Sequence, residues 1–342
     1  MFRINIIRIA AAMAGALLLA GCAARLDPVE KQGGETPVSF SAGSSLLRDD
    51  SPATKAEAYP AGTSFGVFAY KGNMNGTNNS LAPNFMYNVE VAHDGTSYTY
   101  SPIRFWPAVT EKLTFWAYSP YTASPVLYKA GTTTAFTSTT KGIPDIQYTA
   151  DGQTDFMVSD VVKNQTKNSN SGLVVMPFNH ALSKVDVTVN KDDPTSKYTV
   201  KLKAVRFDGI YSTAILRSSG WADHSGARGN LVLYADDPAD ATDDITLTAS
   251  AQSLSTVIPL PQDLNNAAAR LHVEFTVSFE GISHERTTAR EVLLSKVFEN
   301  AGARWDRNAH YTLELTISPD DPIEFTVSWS NWGDVFNYNI TG

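Results

Sequence analysis

The chain has 342 residues, a formal net charge of −8 and a single cysteine, Cys22. Its 35 acidic side chains outnumber 27 basic ones, and no basic run offsets them. That balance speaks against nucleic acid, whose phosphates are bound through clustered Lys and Arg. Thr, Ser, Val and the aromatics are prominent and favour β structure.

The first stretch, Met1–Cys22, opens with Arg3 and Arg8, runs apolar from Ile9 to Ala20 and ends Leu19-Ala20-Gly21-Cys22. The apolar run is too short for a bilayer core, which needs about 20 residues. A basic start, a short apolar run and small residues before a cut predict a secretory signal over residues 1–21. The Cys behind Leu-Ala-Gly resembles the bacterial lipobox, in which the chain is cut between Gly21 and Cys22 and the thiol is acylated. Lipidation of Cys22 would leave the mature chain no free thiol, removing disulfides, Cys-based metal sites and a Cys nucleophile together. One acyl chain binds a membrane only marginally, so the resemblance implies several palmitate-type chains on Cys22. Ala23 stands where an Asp would signal retention at the inner membrane, which points by the same resemblance to the outer one.

Residues 22–36 are polar, contain Gly33-Gly34 and read as a tether. Pro37-Val38-Ser39-Phe40-Ser41 alternates as a first strand. Gly43–Pro60 breaks the pattern with Ser, Asp, Pro and Gly and carries Arg48 and Lys55; so long a loop inside a compact domain tends to be functional. Phe65–Tyr70 reads as a strand that is apolar on both faces. Phe85–Val89, Ser97–Tyr100, the aromatic Leu113–Tyr118 and a short Phe156–Val158 follow, and Lys163–Gly172 reads as a loop.

The second half opens with Val174–Val189, in which Val185, Val187 and Val189 share one face. Tyr198–Ala204, Leu271–Phe279, Tyr311–Ile317 and Ile323–Trp329 repeat the two-residue period. Strict alternation means one face buried and one wet, as in antiparallel sheets packed in pairs. Asp263–Arg270 and Glu291–Glu299 are the two short stretches open to a helical reading. The expected architecture is all-β: two tandem antiparallel β-sandwich domains, residues 37–173 and 174–342. Two strands read as exposed templates for pairing: Pro37–Ser41, set apart by its loop, and the last strands, Ile323–Ser330 and Val335–Ile340.

Catalytic and cofactor signatures find no support. The six histidines form no HExxH pattern or close pair, and no P-loop, Gly-x-Ser-x-Gly or dinucleotide fingerprint occurs. The expectation is no enzyme, no cofactor and no metal. Asp236-Asp237, Asp240 and Asp243-Asp244 could supply oxygens to Ca²⁺ but lack the spacing and central Gly of the EF-hand, and read equally as a solvated loop. His272 reads as a surface residue and His180 as a structural hydrogen-bonder near the domain junction. Tyr98, Tyr100 and Trp332 could stack on sugars or pack within a sandwich.

The lipobox, the early strand, Thr54-Lys55-Ala56, Phe65-Gly66-Val67-Phe68-Ala69-Tyr70, Phe115-Trp116-Ala117-Tyr118-Ser119-Pro120 and His180-Ala181-Leu182-Ser183-Lys184-Val185, in that order, resemble the fimbrillin-like lipoproteins of Bacteroidales (the FimA/Mfa type). Trp305–Ile317 looks like the family's Trp, Gly, Tyr and strand, with Asn308 where Gly is usual; Asn tolerates the left-handed conformation. The resemblance implies transthyretin-like Greek-key sandwiches and a pilus subunit, surface-exposed at the outer membrane and serving adhesion to a host or bacterial receptor. It also implies a trypsin-like cut in the loop after the first strand, at Lys55 or Arg48. The groove so opened takes a strand from another fimbrial subunit, with Ile323, Phe325, Val327 and Trp329 as candidate donor residues. The alternative is an outer-membrane lipoprotein that binds glycans.

Overall fold

The computed structural model describes residues 36–44, 59–74, 80–192, 197–237, 245–319 and 322–332. The signal segment, Gly21, Cys22, the tether up to residue 35, Arg48, Lys55, Asp240, Asp243, Asp244 and the expected strand 335–340 lie outside the described residues. The first ten strands are β1 (Ser39–Ser44), β2 (Thr63–Lys71), β3 (Met86–His93), β4 (Tyr98–Thr99), β5 (Leu113–Ser119), β6 (Val126–Tyr128), β7 (Asp145–Thr149), β8 (Met157–Ser159), β9 (Val162–Gln165) and β10 (Leu173–His180). The remaining strands are β11 (Lys184–Lys191), β12 (Tyr198–Arg217), β13 (Gly220–Ala235), β14 (Gln252–Ser253), β15 (Gln262–Asp263), β16 (Arg270–Phe279), β17 (Glu285–Leu293), β18 (Arg304–Trp305), β19 (Ala309–Ile317) and β20 (Glu324–Asn331). Among the described residues the one α-helix is a single turn, α1 (Leu294–Val297). The protein is all-β, as its composition and periodicity lead one to expect.

The first sheet runs β1-β10-β8-β5-β2-β3-β4, with β9 beside β5. It curls until its two edges meet. The hydroxyl of Tyr98, in β4, donates to the Ala42 carbonyl at 3.4 Å, and that of Tyr100 to the Val38 carbonyl at 2.8 Å. Successive residues of a strand face opposite sides, and here both sides are covered. Phe65, Val67 and Ala69 of β2, with Leu113, Phe115 and Ala117 of β5, fill the inside of the curl. Phe68, Tyr70, Trp116 and Tyr118 point outward into a second apolar cluster, against Ile146, Ala214 and Leu216. At Gly66 a Cβ would lie 2.6 Å from the Tyr118 ring and 2.7 Å from Asn88 Oδ1, so the strand has no room for a side chain at that position.

A sheet ordered β17-β16-β12-β7-β6, with β13 running along β12, forms the opposite wall. The twenty-residue β12 joins two cores. Its first half pairs with β16 and points Val200, Leu202, Val205 and Phe207 into the third cluster; its second half pairs with β7 and points Ala214 and Leu216 into the second. The four-stranded sheet β14-β11-β19-β20 closes the third cluster with Val185, Val187, Val189, Leu313 and Leu315.

Several expectations need correction. The division expected between residues 173 and 174 falls inside β10, which belongs to the first sheet, where Val174, Met176 and Phe178 complete the inner cluster. The change of sheet comes at Ala181-Leu182-Ser183, between β10 and β11. Periodicity alone does not say which sheet a strand joins. Conversely, β6 and β7 of the first half pair into the sheet of β12. Pairing is not purely antiparallel: β1 runs parallel to β10, and β11 to β19. Asp263–Arg270 is not helical but a turn between β15 and β16, whereas Glu291–Glu299 ends β17 and then holds α1 and the start of a 3-10 turn, so its helical reading holds in part. The expected loop Lys163–Gly172 contains most of β9, which pairs with β5, and a 3-10 turn at Ser169–Gly172.

Candidate functional site

β1 is the edge strand on which the inner cluster of the first sheet depends. It lies on β10 in parallel register, from Ser39 opposite Leu173 to Ser44 opposite Phe178. Just before it, Val38 N–H donates to the Arg104 carbonyl at 2.9 Å, and Trp106 N–H to the Thr36 carbonyl at 2.9 Å. Val38 and Phe40 turn inward and are 1% and 4% exposed. The Phe40 ring meets Phe65, Tyr100 and Phe115 edge-on at centroid distances of 6.3, 5.4 and 5.8 Å. Full burial of two such side chains contributes roughly 3–6 kcal/mol gross. A parallel ladder is slightly weaker per residue than an antiparallel one, so side-chain burial carries most of the attachment.

The chain returns to the same cluster at Tyr59. Its ring stacks on Phe178 at 5.5 Å and meets Phe65 edge-on at 5.5 Å, and its hydroxyl pairs with Ser119 Oγ at 2.8 Å. Burial pushes the Tyr59 phenol up, and the bond to Ser119 offsets part of the rise. Segment 45–58, with Arg48 and Lys55, therefore connects two anchors in one apolar cluster. A break within it would leave β1 attached by non-covalent contacts alone. Sequence reasoning left Tyr59 in the loop and gave no role to Trp106, whose indole N–H donates to the Gly172 carbonyl at 3.0 Å. The available signal was an aromatic followed by Pro60 at the end of a polar stretch.

The candidate donor residues occupy the closing edge strand. β20 pairs antiparallel with β19, from Ala309 opposite Asn331 to Thr316 opposite Glu324. Ile323 and Val327 are buried at 6% and 9% exposed, Phe325 is half-buried, and Trp329 is 50% exposed. This strand is docked in the third core.

The segment His180–Ser183 links the sheets. His180 Nδ1 lies 2.8 Å from Asp155 Oδ2, and its ring stacks on Trp332 at 4.0 Å, with the planes within 3° of parallel. The Trp221 indole donates to the Ala181 carbonyl, Ser183 Oγ to the Asp306 carbonyl, and Asn308 N–H to the Leu182 carbonyl. His180 is a structural hydrogen-bonder at the junction, as its sequence context suggests. Trp332 packs there, and Tyr98 and Tyr100 pack against the inner cluster. His272, expected on the wet surface, is buried at 8% exposed between Glu274 and Glu291. Of the acidic cluster, Asp236 pairs with Lys203 at 2.6 Å.

These features define a class: an all-β protein of packed sheets whose first sheet is closed by an N-terminal edge strand on a long connection. Residues 53–332 match the model of the fimbrillin-like family, and the chain belongs to that family. It is 32% identical over 166 residues to the fimbrium subunit Fim1C of Phocaeicola vulgatus. The aligned part is 44% of this chain and 44% of that relative, so the match spans less than half of either. Among solved structures, a fimbrial protein from Bacteroides vulgatus superposes with a TM-score of 0.65 at 21% identity, covering 86% of this chain and 99% of the other. A candidate cell adhesion protein from Bacteroides uniformis gives a TM-score of 0.52 at 16% identity, covering 88% and 100%. At these identities the two structures speak to the fold.

Proposed function

We propose that the protein is a fimbrial subunit that serves adhesion and is built into its fibre by exchange of β1. In this reading Cys22 is cut from Gly21, acylated and held in the outer membrane, with the rest of the chain at the cell surface. A trypsin-like protease then cuts at Lys55 or Arg48, and β1 leaves. The partners are other fimbrial subunits, of the same or a different kind, and a receptor on a host or bacterial surface.

The observation that carries the reading is the position of β1. It is an edge strand, it supplies Val38 and Phe40 to a cluster otherwise built by the rest of the sheet, and its connection holds both basic residues. A strand from another subunit would restore the main-chain bonds along β10 and refill the positions of Val38 and Phe40 with alternate side chains. Donation by Ile323, Phe325, Val327 and Trp329 requires β20 to peel from β19. The stretch behind it, Phe336, Tyr338 and Ile340 alternating with Asn337 and Asn339, has the same two-residue period and is a second candidate donor.

The test is limited trypsin treatment of the purified precursor, followed by mass spectrometry and size-exclusion chromatography. The expected result is an N-terminal fragment ending at Lys55 or Arg48 and the growth of oligomers as that fragment is lost. A cut chain that stays monomeric after release of the fragment would overturn the mechanism.

A further inference from the structure

Between the outer face of the first sheet and the end of the β12–β13 hairpin lies a cleft of about 790 Å³, within the usual range for small-ligand sites. Met74, Trp116, Ile146, Val158 and Leu216 give it an apolar floor. Its remaining lining includes Lys129, Lys141, Lys163, Arg217 and Arg307, against two carboxylates, Asp145 and Asp160. This concentration of cations stands out in a chain of net charge −8.

The two carboxylates are engaged by the protein itself. Asp145 Oδ2 accepts from Gly131 N–H at 2.7 Å and faces Arg217 Nε at 3.5 Å. Asp160 Oδ1 accepts from Asn179 Nδ2 at 3.2 Å. Arg217 also pairs with Asp223, but its Nε is buried without a hydrogen-bond partner. Lys129 and Lys141 stand exposed on the rim. The cations come from separate places: the end of β6, the approach to β7, β9, the end of β12, and the turn before β19. Loops held by a rigid scaffold are where binding groups collect.

We propose that this cleft binds an acidic saccharide, with its anionic groups on the Lys and Arg rim and the apolar face of a sugar ring on the floor. Dispersed cations suit a ligand with several spaced negative charges better than a single ion. The hydroxyls of Ser218 and Ser219 in the lining suit one that is also rich in hydroxyl groups. A carboxylated and a sulfated sugar share this chemistry. The site lies on the outer face of the first sheet, opposite the inner cluster that β1 completes, and does not depend on strand exchange.

Calorimetric titration of the full chain at low ionic strength tests this, with a galacturonate tetramer, a heparin tetrasaccharide, a neutral galactose tetramer and tetraglutamate as ligands. One or both acidic saccharides should bind at least about tenfold more tightly than the neutral sugar and the peptide, and weaken as salt is added. Their order tells carboxylate from sulfate. The double variant Lys129→Glu/Lys141→Glu should lose about tenfold or more in affinity with an unchanged thermal midpoint. If charge reversal lowers the midpoint, Lys129→Gln/Lys141→Gln replaces it and should show the same loss. The proposal is overturned if neither acidic saccharide binds below about 10 mM, if tetraglutamate or the neutral sugar binds equally well, or if the folded variant keeps its affinity.

Discussion

Phe40 is the residue on which the attachment of β1 turns, and Phe40→Ala measures it. The ring is 4% exposed and makes edge-to-face contacts with three other rings. Truncating a buried Phe to Ala costs about 3–5 kcal/mol, part of it from ring contacts worth about 0.5–1.5 kcal/mol each beyond area. If β1 opens as a unit, that loss falls on its docking equilibrium, which then shifts by roughly two to three and a half decades at 1.36 kcal/mol per decade. Native-state hydrogen exchange reads this at the Val38 amide, bonded to the Arg104 carbonyl, and along β1. Exchange there should accelerate by at least about a hundredfold, with β19 and β16 little changed. After trypsin treatment the variant's fragment should separate from the body during size exclusion, while the wild-type fragment stays bound longer. Acceleration of less than about threefold, or equal acceleration in all three strands, would refute the reasoning. The first outcome would mean Phe40 contributes little; the second that β1 does not open separately.

Three further outcomes are expected. Gly209→Ala should cost at least about 2 kcal/mol in urea unfolding, because Gly209 has φ +70° and a Cβ there would lie 1.9 Å from the Ala268 carbonyl oxygen. Asn308 has φ +59°, so Asn308→Val should lower stability by about 1–2 kcal/mol while Asn308→Gly is tolerated, read from thermal midpoints. Burial pushes the Asp186 carboxyl up, but the Thr256 hydroxyl, His310 and Lys184 outweigh it and hold it below the usual range. A carboxyl depressed in the fold contributes fully above its unfolded value of about 3.9 and loses that contribution as pH falls through the folded value. Asp186→Asn should therefore lower the urea midpoint clearly at pH 7 and much less at pH 3; an equal loss at both would count against the assignment.

The strands were legible where one physical pattern governs them. The alternation of Val185, Val187 and Val189 and that of Leu271 through Phe279 reflect one buried and one wetter face. The doubly apolar run of β2 reflects burial on both. Partnership was not legible, because pairing is set by packing at long sequence range. Nothing local to Asp145–Thr149 says that it crosses to β12, nor does the run beginning at Val174 show that its first part completes the curl around Phe40. Asp263–Arg270 failed for another reason: its Ala-rich stretch suits a helix, but tertiary pairing of Gln262 and Asp263 with β18 claims its start. The site was half legible. Val38 and Phe40 follow from alternation, whereas Tyr59 sits in a polar stretch and only the fold brings its ring onto Phe178. The cationic cleft has no local signature, since its five cations span residues 129 to 307.

The two edge strands differ in how they are bound, and that difference bears on assembly. β20 has a full antiparallel ladder to β19 and puts Ile323 and Val327 into a core shared with β11, β12 and β16. β1 has a parallel ladder, puts Phe40 into the inner cluster with Val38 just before it and Ala42 packed against it, and connects through segment 45–58 to a second anchor in the same cluster. Joined to that anchor through the chain, β1 rebinds as an intramolecular event, at an effective concentration that a separate fragment does not have. A cut in 45–58 leaves the described contacts of β1 in place and removes that concentration. At the micromolar level the same roughly 3–6 kcal/mol of side-chain burial no longer holds it against dilution. In the proposed mechanism cleavage then acts as the switch: it leaves the contacts among Phe65, Phe115 and Phe178 in place and, once β1 departs, opens that cluster to a strand that offers apolar side chains two residues apart.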